Sequence, residues 1–314
     1  MLDVILTALA ISSGFALAAG GITIIYMSTE TFNFAHASMV AYAFYTVFIL
    51  NLITGGSPYY YIPIAALVSG AIGVIIYFTI NKWLLRAGAT MVTLMMSTLG
   101  ADLILYGFLN ALAENLTQIF KRDMRYFLLA EQDILLFRIG NVNVKLIHIV
   151  SLLVVVIIIA AIQLFLTRTK FGIAMRTTVE NPTLAKVLGI NPETVYLASW
   201  FIGGAMAGLG GGILSLVMPG ETRIGLVLIV PLFAAAIVGG LYSIFGSLLG
   251  GFLIGVSMQL GIYLLAQAVG SWINAYKYII PLAMMVITLL VYPQGLGALP
   301  WGKYLSRFKR IRGE

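Results

Sequence analysis

The chain has 314 residues, of which 61% are hydrophobic and only 9% are charged. Soluble domains carry about 25% charged residues, so this sequence has too few charges to cover a water-facing surface. It contains no cysteine, which excludes disulfides, thiol catalysis and a cysteine-built metal site. The net charge of +7 is typical of a membrane protein whose basic loops lie on one side of the bilayer.

Apolar segments of helix length occupy most of the chain, and about 20 such residues cross a hydrocarbon core. They predict an all-α, polytopic membrane protein with about eight to nine transmembrane helices in a single domain, residues 1–314. The predicted spans lie near residues 4–27, 32–53, 59–81, 91–113, 146–167, 196–218, 227–242, 245–268 and 277–292. We expect the first to be a retained span, because no basic residue precedes it. The second begins with polar residues and is alternatively partly re-entrant.

The charged residues divide unequally when successive loops are assigned to opposite sides of the membrane. One side has a net charge of +7 and includes the loop 168–195 and the basic tail 293–314. The other side has a net charge of +1 and includes the loop 114–145. Basic loops mark the cytoplasmic side, so we expect the N-terminus outside and the C-terminus in the cytoplasm. Both loops are longer than simple connections usually are, which favours functional roles.

A short amphipathic helix is predicted inside the cytoplasmic loop. Asn181 suits the N-cap, Pro182 the first helical position and Gly189 the residue after the last turn. The apolar face of this helix is formed by Leu184, Val187 and Leu188. Such a face fits the groove of a partner protein, and the alternative is a helix that lies on the lipid surface.

Asp102 is the one acidic residue inside a predicted span. A carboxylate in the membrane is costly and is usually functional. It either contacts a substrate ammonium group or relays protons, or it makes a structural hydrogen bond to Ser97, Thr98 or a neighbouring helix.

Glycines recur at four-residue spacing in the later spans. Small residues at this spacing let helix backbones approach closely in a membrane. They either serve helix packing alone, or the same faces also slide or rock during transport. The glycines assigned to helix packing are Gly204, Gly208, Gly246, Gly250, Gly251 and Gly255.

Four motifs occur along the chain in an order typical of one transporter family. They are Asn33-Phe34-Ala35-His36, the loop residues Phe171 to Asn191 with Glu180-Asn181-Pro182 and Leu188-Gly189, Gly239-Gly240-Leu241-Tyr242-Ser243, and Tyr292-Pro293-Gln294-Gly295-Leu296. Together they resemble the motifs of ABC-transporter permeases for branched-chain amino acids. Ala37 and Tyr292 depart from the family pattern, which usually has glycine and arginine there.

The resemblance implies the permease subunit of an ATP-driven importer in the cell membrane, with no catalytic residue, cofactor or metal of its own. The loop helix, residues 179–190, would be the coupling helix of this chain, which docks into a separate ATPase. The residues assigned to coupling are Arg176, Glu180, Asn181, Pro182, Leu184, Ala185, Leu188 and Gly189. The implied partners are two cytoplasmic ATPase subunits, a second permease subunit (a paralogue or a copy), an external substrate-binding protein and membrane lipid, and no nucleic acid.

The signature motif also contributes candidates for the translocation path or gate. The candidates are Asn33, Phe34, His36, Ser38, Thr98 and Asp102. His36 is alternatively a packing residue. The substrate stays open among Leu, Ile or Val, other amino acids, urea and amides. The competing hypothesis is an ion-coupled secondary transporter or channel for a small polar solute, with Asp102 as the coupled group.

Overall fold

The protein is mostly helical. The computed structural model describes residues 1–140 and 142–299, so most of the predicted basic tail, residues 300–314, lies outside the described residues. The helices in chain order are α1 (Leu2–Thr29), α2 (His36–Thr54), α3 (Ile62–Ile76), α4 (Lys82–Arg86), α5 (Met91–Phe120), α6 (Leu146–Arg168), α7 (Lys170–Glu180), α8 (Pro182–Val187), α9 (Pro192–Leu214), α10 (Ile224–Gly239), α11 (Ile244–Val269) and α12 (Ile279–Val291). A π-helical turn, Tyr77–Asn81, joins α3 to α4.

Eight helical segments in the described chain are long and apolar enough to cross a membrane, which matches the lower of the two predicted numbers. They are Leu2–Thr29, His36–Thr54, Pro58–Arg86, Met91–Phe120, Leu146–Arg168, Pro192–Leu214, Ile244–Val269 and Ile279–Ala298. The ninth predicted span, 227–242, corresponds to α10, which has only 16 residues. It ends early because Gly240 has a φ of 106°, which is outside the helical region.

Two small antiparallel sheets depart from the all-α prediction. The strands are β1 (Tyr126–Phe127), β2 (Leu135–Ile139), β3 (Val142–Lys145) and β4 (Gly220–Glu221), with β1 paired to β4 and β2 to β3. The first three strands lie in the segment that the sequence indicated as a loop over 114–145. Helix α5 also extends into that segment as far as Phe120, so the non-helical part begins later than predicted.

The bundle has two distinct ends. Helices α7 and α8 connect the C-terminus of α6 to the N-terminus of α9, and we call this end of the bundle the α8 end. The paired strands β1 and β4 follow the C-termini of α5 and α9, and we call the opposite end the sheet end.

Helices α1 and α9 form the centre of the bundle. Helix α9 packs along both α1 and α3, and α1 packs along α11 as well. The contacts are backbone to backbone: a Cβ added to Gly208 would lie 2.5 Å from the carbonyl oxygen of Ala65, and one added to Gly255 would lie 2.5 Å from the Cα of Ser12. The glycines assigned to packing all face such a neighbouring backbone within 2.6 Å, namely Gly204, Gly208, Gly246, Gly250, Gly251 and Gly255.

This packing predicts the effect of adding one methyl group. We expect Gly208→Ala to lower the free energy of unfolding by about 1–3 kcal/mol, because the new Cβ meets the rigid backbone of α3. Gly107→Ala is the matched control, since a Cβ there would have no atom within 4 Å. Thermal unfolding in detergent measures both variants. Equal melting temperatures for the two would contradict the close α3–α9 contact.

Candidate functional site

Helix α8 is a short, separately capped helix at the α8 end. The side-chain oxygen of Asn181 accepts hydrogen bonds from the backbone N–H groups of Thr183 at 3.1 Å and Leu184 at 3.0 Å. Pro182 occupies the first turn, where the N–H that it lacks has no helical partner. The predicted cap and first turn are therefore confirmed, whereas the helix occupies only Pro182–Val187 of the predicted 179–190, because Asn181 has the extended backbone that separates α8 from α7.

A Schellman motif ends α8. The N–H of Ile190 donates to the carbonyl of Ala185 at 2.9 Å, and the N–H of Gly189 donates to that of Lys186 at 3.0 Å. Gly189 has a φ of 80°, which a residue with a side chain adopts only at a cost. This geometry explains why a glycine follows the last turn, as the sequence predicted.

The outer face of α8 is apolar and exposed. Leu184, Val187 and Leu188 have exposed fractions of 51%, 80% and 64%. Ala185 is fully buried, and α8 contacts α7 and α9. The helix is thus held by its buried side while it presents three large apolar side chains outward.

A non-helical segment, Glu30 to Ala35, enters the bundle between α1 and α2. The Nε2 atom of His36 lies 2.9 Å from the carbonyl oxygen of Ala18. Ala18 precedes the end of α1 at Thr29 by eleven residues, which is about 16 Å at the helical rise. Helix α2 therefore begins deep inside the bundle, and we call the segment Glu30 to Ala35 the re-entrant segment.

Thr98 on α5 satisfies the backbone of this re-entrant segment. Its hydroxyl oxygen accepts a hydrogen bond from the N–H of Phe34 at 3.2 Å and donates to the carbonyl of Phe32 at 3.0 Å. Backbone outside a helix is tolerated at membrane depth only where protein or a cavity surrounds it. The segment is surrounded in this way, because Thr31, Asn33 and Ala35 are all buried.

Further hydrogen bonds connect α2 to α5 toward the sheet end. The hydroxyl of Ser38 donates to Oδ1 of Asp102 at 2.5 Å, and that of Tyr42 donates to the carbonyl of Leu105 at 3.1 Å. The Tyr45 hydroxyl lies 3.3 Å from the carbonyl of Met124, just beyond α5. The three hydroxyl groups recur every three to four residues along α2, so one face of α2 is hydrogen-bonded to α5 and to the residues just beyond it.

Aromatic side chains stand at both ends of this α2 face. At the α8 end, the rings of Phe32 and Phe34 lie 6.0 and 5.0 Å from that of Phe233 on α10. At the sheet end, the ring of Phe48 stacks on that of Phe127 with centroids 3.9 Å apart. The buried polar contacts of α2 lie between these two apolar clusters.

The chain matches a known protein family over residues 4–289, and that family is described as the branched-chain amino acid transport system / permease component. The chain belongs to this family. It is therefore a multi-pass, non-catalytic membrane subunit of an ABC transporter, and the family implies ATPase and binding-protein partners. This membership favours the permease over the ion-coupled transporter hypothesis.

The similarity to known proteins extends over nearly the whole length of the permease. The probable branched-chain amino acid transport permease protein LivH of Methanocaldococcus jannaschii is 38% identical over 283 residues, or 90% of this chain and 88% of its own. The high-affinity branched-chain amino acid transport system permease protein BraD of Pseudomonas aeruginosa is 26% identical, over 94% of this chain and 95% of its own. The solved structure of PsaBC from Streptococcus pneumoniae in complex with Fab covers 92% of this chain and 91% of its own, with 15% identity and a TM-score of 0.49.

The permease brings most of its predicted path residues to one region. His36 and Ser38 lie in the first turn of α2, and Thr98 and Asp102 lie on the facing turns of α5. Asp102 accepts its hydrogen bond from Ser38 on the neighbouring helix α2. Ser97, one of the predicted alternative partners, instead donates to the carbonyl of Leu94 in its own helix. The predicted coupling residues lie apart from this region, in α7 and α8 and in the residues that cap α8, at the α8 end.

Several buried polar atoms near this region lack a hydrogen-bond partner among the described residues. They are Thr23 Oγ1, both side-chain polar atoms of Asn33, His36 Nδ1 and Asp102 Oδ2. Each of these residues is almost fully buried. Buried groups of this kind call for a functional or solvent partner, so the interior between α1, α2 and α5 is polar in a part of the protein where apolar packing would be more stable.

Other contributing residues of the permease were missed in the sequence. Tyr42 and Tyr45 lie in a predicted span but are not among the predicted site residues, although polar hydroxyl groups three positions apart in an apolar helix are a detectable signal. Helix α7 was also missed, although Thr169 precedes it and caps the N–H of Gly172 at 2.9 Å. An ion pair of Glu193 with Lys82 and Arg86 spans more than a hundred residues and has no local signal.

The α2–α5 contact predicts a measurable coupling between two side chains. We expect a double-mutant cycle of Ser38→Ala and Asp102→Ala to give a coupling energy of about 0.5–2 kcal/mol in unfolding, as for other interhelical hydrogen bonds in membranes. Ser97→Ala paired with Asp102→Ala is the control and should give a value near zero, because Ser97 bonds within its own helix. The same coupling in both cycles would contradict the hydrogen bond to Ser38.

Proposed function

We propose that this permease imports branched-chain amino acids, with α8 as the helix that receives the movement of a separate ATPase. The observation that carries the proposal is the exposed apolar face of a helix capped at both ends. Three neighbouring large apolar side chains in water are unfavourable unless a partner covers them. A groove that accepts a short amphipathic helix would cover Leu184, Val187 and Leu188 together.

The α8 end then faces the cytoplasm, and the sheet end faces outside. The excess of basic residues in the loops of the α8 end supports this orientation. It places the N-terminus outside and gives an external binding protein access to the sheet end. Two ATPase subunits would bind a pair of permease subunits, and the second permease is either a copy of this chain or a paralogue.

The translocation path runs along the α2 face that lies between the two aromatic clusters. Asn33, His36 and Asp102 contribute polar atoms that have no partner among the described residues, and these atoms are free to bind the charged ends of an amino acid. Phe32 and Phe34 close the α8 end against Phe233. Such rings in the re-entrant segment would form a gate that opens when the segment moves.

The proposed substrate class is taken from the names of the similar proteins. The Methanocaldococcus jannaschii protein and the Pseudomonas aeruginosa protein are both named as branched-chain amino acid permeases. A nucleoside ABC transporter permease protein NupC of Lactococcus lactis is 30% identical over 46% of this chain. Nucleosides are therefore the competing substrates to include in a transport assay.

The docking role of α8 predicts the loss of a partner. We expect Leu184→Asp/Leu188→Asp to abolish co-purification of the ATPase subunits, because two carboxylates would have to be buried in an apolar groove. The matched control is Ile173→Asp on the neighbouring helix α7, since Ile173 is also apolar and exposed, at 52%. The control should retain the ATPase. Unchanged co-purification of the α8 double variant would rule out docking at this face.

An ATP-driven permease predicts that uptake into reconstituted vesicles depends on ATP. With the permease, its ATPases and the binding protein, we expect uptake of labelled leucine, isoleucine or valine only when ATP is present on the ATPase side. Unlabelled nucleoside should not compete. Uptake driven by a proton gradient without ATP, and lost in Asp102→Asn, would instead establish the ion-coupled transporter.

A further inference from the structure

Glu193 forms an ion pair with two basic residues of a different span. Its Oε1 atom lies 2.5 Å from Nη2 and 2.7 Å from Nε of Arg86, and its Oε2 atom lies 3.3 Å from Nζ of Lys82. Glu193 stands in the first turn of α9, a few residues after α8, and Asn191 caps its N–H at 3.0 Å. Any displacement of α8 therefore reaches this carboxylate through a short, capped connection.

The two basic residues belong to α4, which continues directly from the π-helical turn. A π-helical turn is rare and is often found at functional positions. Asn81, the last residue of this turn, is fully buried, and its Nδ2 atom donates to Oγ1 of Thr31 at 3.0 Å. Thr31 lies in the re-entrant segment, next to Phe32. A continuous series of contacts thus leads from α8 to the segment that carries the aromatic cluster.

A second contact strengthens the same region. Trp200, about two helical turns after Glu193 on α9, donates from its ring N–H to Oγ1 of Thr29 at 3.3 Å. Its ring lies 6.2 Å from that of Tyr77, the first residue of the π-helical turn. The ends of α1, α3 and α9 are consequently joined by buried side chains, so a shift of one of them is passed to the others.

Between α8 and α4 the surface is open. A crevice of about 700 Å³ is lined on one side by Pro182 and Lys186 and on the other by Leu85 and Arg86. The side chains of Glu193, Arg86 and Lys82 bridge the floor of this crevice. An exposed ion pair contributes little to stability, so stability alone does not account for a carboxylate shared by two basic side chains here.

We infer that Glu193 is a positioning residue that transmits the movement of α8 to the re-entrant segment through α4 and the π-helical turn. The inference rests on the proposed coupling role of α8. It assigns Glu193, Lys82 and Arg86 to the coupling of ATP hydrolysis with transport, and it assigns Asn81 and Thr31 to the delivery of that movement. None of these residues contacts the ATPase or the substrate in this scheme.

The test separates coupling from docking and from hydrolysis. In vesicles that contain the full transporter, we expect Glu193→Ala to lower substrate uptake on the order of tenfold, a typical size for coupling between sites. Co-purification of the ATPase and the rate of ATP hydrolysis should stay as in the unaltered transporter. Charge reversal with Arg86→Glu/Glu193→Arg should restore uptake. Glu114→Gln is the control, because it breaks an exposed ion pair with Arg125 at the sheet end.

A chemical cross-link provides the second arm. The permease has no cysteine, so Arg86→Cys/Glu193→Cys introduces the only two thiols of this chain. We expect slow uptake with free thiols and restored uptake after a short bifunctional thiol reagent joins them, because α4 and the start of α9 move as one unit.

Three results would overturn the inference, of which the first two concern uptake. One is uptake by Glu193→Ala at the original rate, and the other is a cross-linked transporter that hydrolyses ATP without transport. Loss of the ATPase from Glu193→Ala would also overturn it, since Glu193 would then be a docking residue. Failure of the unaltered permease to bind an ATPase would instead overturn the proposed function.

Discussion

The absence of a side chain at Gly21 is the constraint on which the interior of this permease depends. A Cβ at this position would lie 2.4 Å from the carbonyl oxygen of Gly203 on α9 and 2.9 Å from Cε1 of His36. Because Gly21 has no side chain, both α9 and the His36 side chain of α2 can pack directly against α1. If α1 were wider here, α9 would be displaced, and the re-entrant segment would lose the depth at which Thr98 satisfies its backbone.

The features that the sequence predicted are those with a local physical cause. Spans follow from apolar length, and α8 follows from Asn181, Pro182 and Gly189, which act within a few residues of their own positions. Helix α10 was predicted as a full crossing because apolar composition continues to Tyr242, whereas the backbone turns at Gly240. The length of an apolar segment therefore predicts that a helix forms more securely than it predicts where that helix ends.

The missed features depend on partners that are distant in sequence. The hydrogen bond of Asp102 joins it to Ser38 on another helix, and the short strands β1 and β4 exist only because two separate turns meet. The re-entrant segment is similar, since its polar residues could start a helix at the surface or inside the bundle. Contacts with other helices, among them those of Gly21 and Thr98, decide between these depths.

Helix α8 has only six residues, yet neither of its ends is free to fray. The Asn181 cap satisfies its first N–H groups, the Schellman motif satisfies its last carbonyls, and Ala185 anchors it underneath. Isolated helices of this length are unstable in water, so α8 is stabilised by its caps and by its packing against the rest of the chain. A partner that binds this helix meets a preorganised shape and spends little free energy on ordering it. The same stiffness means that a force applied to α8 is passed on as displacement and is not lost in local unfolding.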